Sequence, residues 1–281
     1  MTVSAEPNHF ARELRRWRAR RRLSQLDLAI RADTTQRHLS FLEQGRSRPG
    51  RAMVVRLAES LSLSLRERNG FLLAAGYAPV YAESSLDAPE LGPVREALDR
   101  ILDGHLPCPA VVVRPHGLLV AANAAFGVLC EGAAPELLKP PVNVLRLALH
   151  PDGMAGRVVN LAEWGRHITG SLRDQLDRSP DPELEEFIVE LDGYLPGLGA
   201  PDGHLGFAAP LRLRVPEGEL RLITTLTSFA TAVDVTLAEL RLEAFLPADE
   251  TSARILRERA ARPTERHSLL SGTARLSGRT R

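Results

Sequence analysis

The stretch TTQRHLSFLEQG, residues 34–45, constrains the fold of this chain more than any other. It has the start and stop signals of a short helix, with Thr34 as the expected N-cap and Gly45 as the expected terminator. At the helical period Leu39 and Leu42 fall on one side with Thr35, and define the buried face. Ser40, Gln44, Arg37 and Phe41 fall on the opposite side, and Gln36 lies at the edge of the first turn. Amide, guanidinium, hydroxyl and phenyl groups in one strip suit the major groove of DNA. Glutamine pairs with adenine, arginine with guanine, and an apolar ring touches a thymine methyl. Phe41 has two readings, a base contact or a contact with a neighbouring helix.

The surrounding residues predict a five-helix unit ending near Pro79. Phe10, Leu14 and Trp17 line one face of a helix from about Asn8 to Arg22. Ser24 with Asp27 forms a capping box for a two-turn helix, QLDLAIRA, expected to bury Leu26, Ala29 and either Ile30 or Leu28. After the loop RSRPG, Val54, Leu57, Ala58 and Leu61 mark a fourth helix. Ser64 and Glu67 cap a fifth, which carries Phe71, Leu72 and Ala75 and stops at Gly76.

With these residues in place, LSQLDLAIRADTTQRHLSFLEQGRSRP resembles the helix-turn-helix of the xenobiotic-response-element, or phage-repressor-like, family. The resemblance covers about residues 8–76. It implies that the second helix crosses a DNA backbone while the third enters the major groove. The candidate DNA-contacting residues are then Gln25 on phosphate, Gln36, Arg37 and Phe41 nearest the bases, and Thr35, Ser40, Arg46 and Arg48 beside them. The resemblance also implies an ion pair between Glu43 and Arg18. Asp33 stands where the family usually has glycine, a departure that left-handed backbone at Asp tolerates.

Charge supports a division of labour. The chain's net charge is only +1, yet residues 1–79 hold 15 Arg against 7 Asp/Glu. Residues 80–249 are acidic, with 13 Lys/Arg against 25 Asp/Glu, and residues 250–281 are basic again. Phosphate backbone is the partner that a basic first quarter suggests. No run of about 18 uncharged apolar residues or secretory h-region is present, so a cytoplasmic protein without a membrane span is expected. Cys108 and Cys130 have neither metal-ligand spacing nor disulfide density. No catalytic constellation or phosphate-binding glycine loop is visible, so neither enzyme activity nor a cofactor is expected.

The body changes period. After a linker and connecting helix over 81–104, PAVVVRP and LLVAAN read as strands joined by a His-Gly turn, followed by a short helix, NAAFGVLC. Helical patterns run from about Val142 to Asp192, with Leu161, Trp164, Ile168, Leu172 and Leu176 on one face. LGFAAPLRLRV, ELRLITTLTSF and LAELRLEAFL read as three further strands, with a tight turn at PEGE. In the last, Leu240, Leu242, Ala244 and Leu246 are the expected inward face. The fold class is α+β: an all-α five-helix helix-turn-helix domain (1–80), then an α+β domain (105–249) with an antiparallel sheet, then a short helix and a basic disordered tail (250–281).

LLVAANAAF, NLAEWGRHITGSLRDQL and TTLTSFATAVDVTLAELRLEAFLPAD resemble the PAS-like ligand-binding domain of MmyB-like regulators. That resemblance implies a pocket between sheet and helices, with a fatty acid or similar small hydrophobic ligand. Asn123, Arg146, His150, Trp164 and His167 are the candidate ligand-binding residues. Together the two halves imply a regulator of transcription that binds double-stranded DNA as a homodimer. The competing reading is an antitoxin-like or scaffold protein whose acidic body binds a protein partner.

Overall fold

A computed structural model describes residues 9–197, 209–229 and 231–262. In the first part of the chain, α1 (His9–Arg20) buries Phe10, Leu14 and Trp17, as their spacing predicts. α2 (Gln25–Arg31) starts at Ser24, whose hydroxyl accepts the Asp27 N–H while the Asp27 carboxylate accepts the Ser24 N–H. α3 (Gln36–Glu43), α4 (Arg51–Ser60) and α5 (Leu65–Ala74) follow, α5 with the expected Ser64–Glu67 capping box. Leu14, Leu28, Leu39, Leu42, Leu57 and Phe71 lie in their shared core, and the Phe10 and Phe71 rings meet at 4.8 Å.

The start of α3 differs from expectation by one residue. Thr35, not Thr34, is the N-cap, and its hydroxyl accepts the His38 N–H at 3.1 Å. Thr34 still belongs to the preceding turn: its N–H donates to the Ala29 carbonyl, and Asp33 is left-handed at φ 48°. Thr35 is therefore exposed, not on the buried face. Gly45 does end the helix, at φ 72°. Its N–H donates to Leu42 and the Arg46 N–H to Phe41, the paired bonds of a Schellman cap. In α2 the expected Leu26 is 51% exposed and Ile30 69%, while Leu28 and Ala29 are buried. A helix of two turns has room for one inward stripe, and Leu28, Ala29 and Ala32 fill it.

The later elements are α6 (Gly92–Gly104), β1 (Ala110–Arg114), β2 (Leu118–Ala122), α7 (Gly127–Cys130), α8 (Val144–Leu149), α9 (Leu161–Arg178) and α10 (Pro182–Gly193). After them come β3 (Leu211–Val215), β4 (Gly218–Ser228), α11 (Val235–Glu239), β5 (Arg241–Pro247) and α12 (Glu250–Ala261). The five strands form one antiparallel sheet in the order β2-β1-β5-β4-β3, with α7–α10 inserted between its second and third strands. This is the PAS-like α+β arrangement that the resemblance implies. Its core runs from Val111 and Val113 on β1 through Leu147, Trp164 and Leu191 to Leu213 and Leu220. On α6, Leu98 and Leu102 are buried, whereas Ile101, one position off that stripe, is 43% exposed. The first part of the LGFAAPLRLRV strand pattern, and the basic tail beyond residue 262, lie outside the described residues.

The chain divides into two compact units, and the division is not collinear with the sequence. Residues 231–238, from the β4–β5 connection, group with the first unit. There the Val235 N–H donates to the Ala82 carbonyl at 2.8 Å, and the buried Asp234 carboxylate accepts the Ser84 N–H at 3.0 Å.

One tight turn in the second unit gives a stability test. A Cβ on Gly153 would stand 2.2 Å from the Leu147 carbonyl oxygen and 3.2 Å from that of His150. Both are backbone atoms held by the turn after α8, where Met154 donates to Leu147 and Gly153 to His150. Gly153→Ala should therefore destabilise the unit by about 2 kcal/mol or more, read as a lower denaturant midpoint at unchanged m-value. An unshifted midpoint would mean that this turn is not as tight as described.

Candidate functional site

Glu43, on the inner side of α3, is 2% exposed. Its carboxylate accepts Nε and Nη2 of Arg18 at 2.6 and 3.0 Å, and Nε2 of Gln25 at 2.6 Å. Arg18 also donates from Nη1 to the Leu23 carbonyl. The Glu43–Arg18 pair is thus present, and it locks α3 to α1 and to the start of α2. The Gln25 amide, proposed for phosphate, is engaged in this network instead of extending freely outward.

The outer side of α3 carries Gln36, Arg37 and Gln44 exposed, with Ser40 and Phe41 half-buried. Gln44 donates to the Ser40 hydroxyl at 3.0 Å. Phe41 is absent from the core cluster of its unit. Its ring instead lies under the Arg37 guanidinium, 5.5 Å from centre to centroid. Arg46 and Arg48 are exposed just beyond the helix. This face joins hydrogen-bonding, cationic and apolar groups on a helix held rigidly from behind, the chemistry that base edges and phosphates require.

The second unit holds a cavity of about 370 Å³, within the range of small-molecule sites. Phe126, Leu147, Met154, Trp164, Ile168 and Leu172 form much of its apolar wall. Trp164 serves both the core and the cavity, and His167, one turn on along α9, also lines it. The other three expected ligand residues do not. Asn123 is buried as a structural link, accepting the Ala110 N–H and donating to the Leu102 and Cys108 carbonyls. Arg146 is engaged bidentately by Glu190 at 2.6 and 2.9 Å, and Tyr194 donates to the same carboxylate. That carboxyl is held below its ordinary range chiefly by the Arg146 hydrogen bond. His150 packs edge-on against Tyr194 and accepts the Asp152 N–H. These partners lie outside the cavity wall.

Polar cavity residues came from strands that looked apolar or merely amphipathic. Arg114, at the end of β1, lines the cavity, and its buried Nε has no hydrogen-bond partner among the described residues. On β5, Leu242 and Ala244 are buried on one face of the strand as expected, though Leu246 is 37% exposed. The alternate polar residues Arg241 and Glu243, together with Phe245 on the same face, are cavity wall. Arg241 donates to the Leu240 carbonyl. Burial raises the Glu243 carboxyl above its ordinary pKa, and the buried Cys130 thiol is likewise pushed up to about 12.

The Glu243 shift has a definite sign. A carboxyl whose folded pKa is raised costs stability as pH climbs from the ordinary carboxylate range through the folded value. Glu243→Gln removes that cost. The variant should match the parent near about pH 4 and exceed it in thermal midpoint near about pH 8. An increment that is constant with pH would show that Glu243 does not titrate abnormally.

A helix-turn-helix unit with a polar recognition face, joined to an α+β domain with an internal cavity, defines a DNA-binding transcription regulator with a ligand-binding domain. The family models agree: residues 94–258 match the MmyB-like transcription regulator ligand binding domain, and residues 9–71 match a helix-turn-helix domain. The first match covers more than half of the chain, which therefore belongs to the MmyB-like family of transcription regulators. No curated protein matches it. Among solved structures it is similar to an RNA-binding Light-Oxygen-Voltage receptor at 15% identity and a TM-score of 0.25, covering 90% of this chain and 62% of that one. The chain thus spans less than two thirds of that receptor, and so slight a likeness carries no argument about activity. Among the described residues no helix is long and apolar enough to cross a membrane.

Proposed function

We propose that this chain is a sequence-specific, cytoplasmic regulator of the xenobiotic-response-element type that reads a two-fold operator as a homodimer, under control of a fatty-acid-like ligand. The observation that carries the ligand reading is the cavity: mostly apolar side chains around the half-buried Arg114, whose buried Nε has no hydrogen-bond partner among the described residues. An unsatisfied buried donor is costly to the resting protein, and the guanidinium on the cavity wall is the cation that a ligand carboxylate would pair with. Glu243 lies on the same wall, and its burial favours the protonated form of the carboxyl, which lowers the repulsion of an acidic head group. The hydrocarbon chain would lie along Phe126, Met154, Trp164 and Leu172.

Gln36, Arg37, Ser40 and Phe41 would face base edges. Thr35, Arg46 and Arg48 would serve the flanking backbone, with Gln25 in a positioning role through Glu43. Ligand and DNA would be coupled by differential binding to two states of the chain. Native mass spectrometry of the protein purified from cells tests the ligand class. A co-released long-chain acid is expected, whereas a stoichiometric protein partner with an empty cavity would overturn the reading.

A further inference from the structure

Arg37 and Phe41 are one helical turn apart on the outer face of α3 and form a cation–π pair. The ring is half-buried and does not belong to the core, so packing of the unit does not account for its orientation. A cation–π contact uses the charge of the guanidinium and does not consume its N–H donors, which can still pair with a ligand. No ion pair engages Arg37 among the described residues. A planar fork held in this way matches the O6 and N7 acceptors of guanine.

Phe41 then decides what the neighbouring base must be. In the major groove the apolar feature available to a phenyl ring is the C5-methyl group of a pyrimidine. The guanidinium and the ring are in contact at 5.5 Å and one turn apart on α3, so in a groove both would reach the same short stretch of bases. Glu43, anchored to Arg18 and Gln25, fixes the rotation of α3 that presents both side chains together.

We propose that Arg37 and Phe41 form a single reading unit for a guanine adjacent, on the same strand, to a C5-methylated pyrimidine, either thymine or 5-methylcytosine. Arg37 supplies the hydrogen bonds to guanine. Phe41 is the specificity-determining residue for the methyl group and also positions Arg37. The inference rests on the DNA-binding reading above and adds the chemical feature of the site that is read.

The test begins with selection of preferred duplexes from a random pool by the full chain. Affinities are then measured by fluorescence anisotropy on the selected duplex with thymine, deoxyuridine, cytosine or 5-methylcytosine beside the guanine. Replacing thymine by deoxyuridine deletes only the methyl group and should weaken the parent protein about four-fold, the worth of one buried methyl-sized group. 5-Methylcytosine should bind better than cytosine. In Phe41→Ala the thymine-to-deoxyuridine ratio should fall to about one, with Phe41→Leu intermediate. Arg37→Ala should lose the preference for guanine. Circular-dichroism melts of each variant confirm that the unit is folded.

A ratio of about one in the parent protein, or an unchanged ratio in folded Phe41→Ala, overturns the inference while leaving the DNA-binding reading intact. A selected motif without a guanine beside thymine or 5-methylcytosine does the same. Failure to prefer any duplex overturns both.

Discussion

Glu43→Ala should destabilise the helix-turn-helix unit by about 3 kcal/mol, the range for removing one partner of a buried ion pair. The carboxylate is 2% exposed and accepts three hydrogen bonds, two from Arg18 and one from Gln25. After its removal the Arg18 guanidinium, whose side chain is only 20% exposed, keeps the Leu23 carbonyl at 2.9 Å. The sequence holds two tryptophans, Trp17 in this unit and Trp164 in the other. In a Trp164→Phe background, fluorescence therefore reports the first unit alone. A midpoint lowered by about 10–20 °C is expected for a unit of this size. A loss below about 1 kcal/mol would place the pair among weak surface contacts and remove the rigid backing assigned to α3.

Arg114→Ala should weaken binding of a long-chain fatty acid by about 10- to 100-fold, the worth of hydrogen bonds to a charged group. Binding of the corresponding alcohol should change little. The delipidated variant should be no less stable than the parent, because the Arg114 Nε that it deletes is buried without a partner among the described residues. Arg114→Lys retains charge but not the planar fork, and should fall between. If acid and alcohol lose affinity equally, Arg114 shapes the cavity without holding a head group. Displacement of a fluorescent fatty acid measures all three proteins.

The first unit was legible because its signals are local. The Ser24 and Ser64 capping boxes, the Gly45 terminator and the Phe10, Leu14, Trp17 spacing are each contained within one or two helical turns. Even there, Leu26 is exposed against expectation and the choice between Ile30 and Leu28 stays open in sequence, because a seven-residue helix has too few turns for its periodicity to define an inward face. The cap expected at Thr34 lies one residue later, at Thr35, because the Thr34 N–H bond to Ala29, five residues back, extends the preceding turn. The Glu43–Arg18 pair came from the family resemblance, since its partners are 25 residues apart.

The cavity was harder to read because its polar residues depend on distant contacts. Arg146 looked available in sequence, but Glu190, 44 residues later, engages it. Asn123 followed an apolar strand and is occupied by three backbone groups. Alternation along β5 distinguished its two faces correctly, but the face holding Arg241 and Glu243 meets a hollow interior instead of solvent. Alternation cannot distinguish those two surroundings. Arg114 ends the short apolar pattern PAVVVRP, where a strand-end arginine in sequence is indistinguishable from one facing solvent.

The central claim is that occupancy of the cavity changes DNA affinity. Its most direct test is an anisotropy titration of a selected duplex with delipidated full-length protein, repeated in saturating long-chain fatty acid and with the corresponding alcohol as control. Coupling of ordinary size predicts a shift in DNA affinity of about five-fold or more with the acid, abolished in Arg114→Ala. Equal DNA affinity with and without demonstrably bound acid would contradict it.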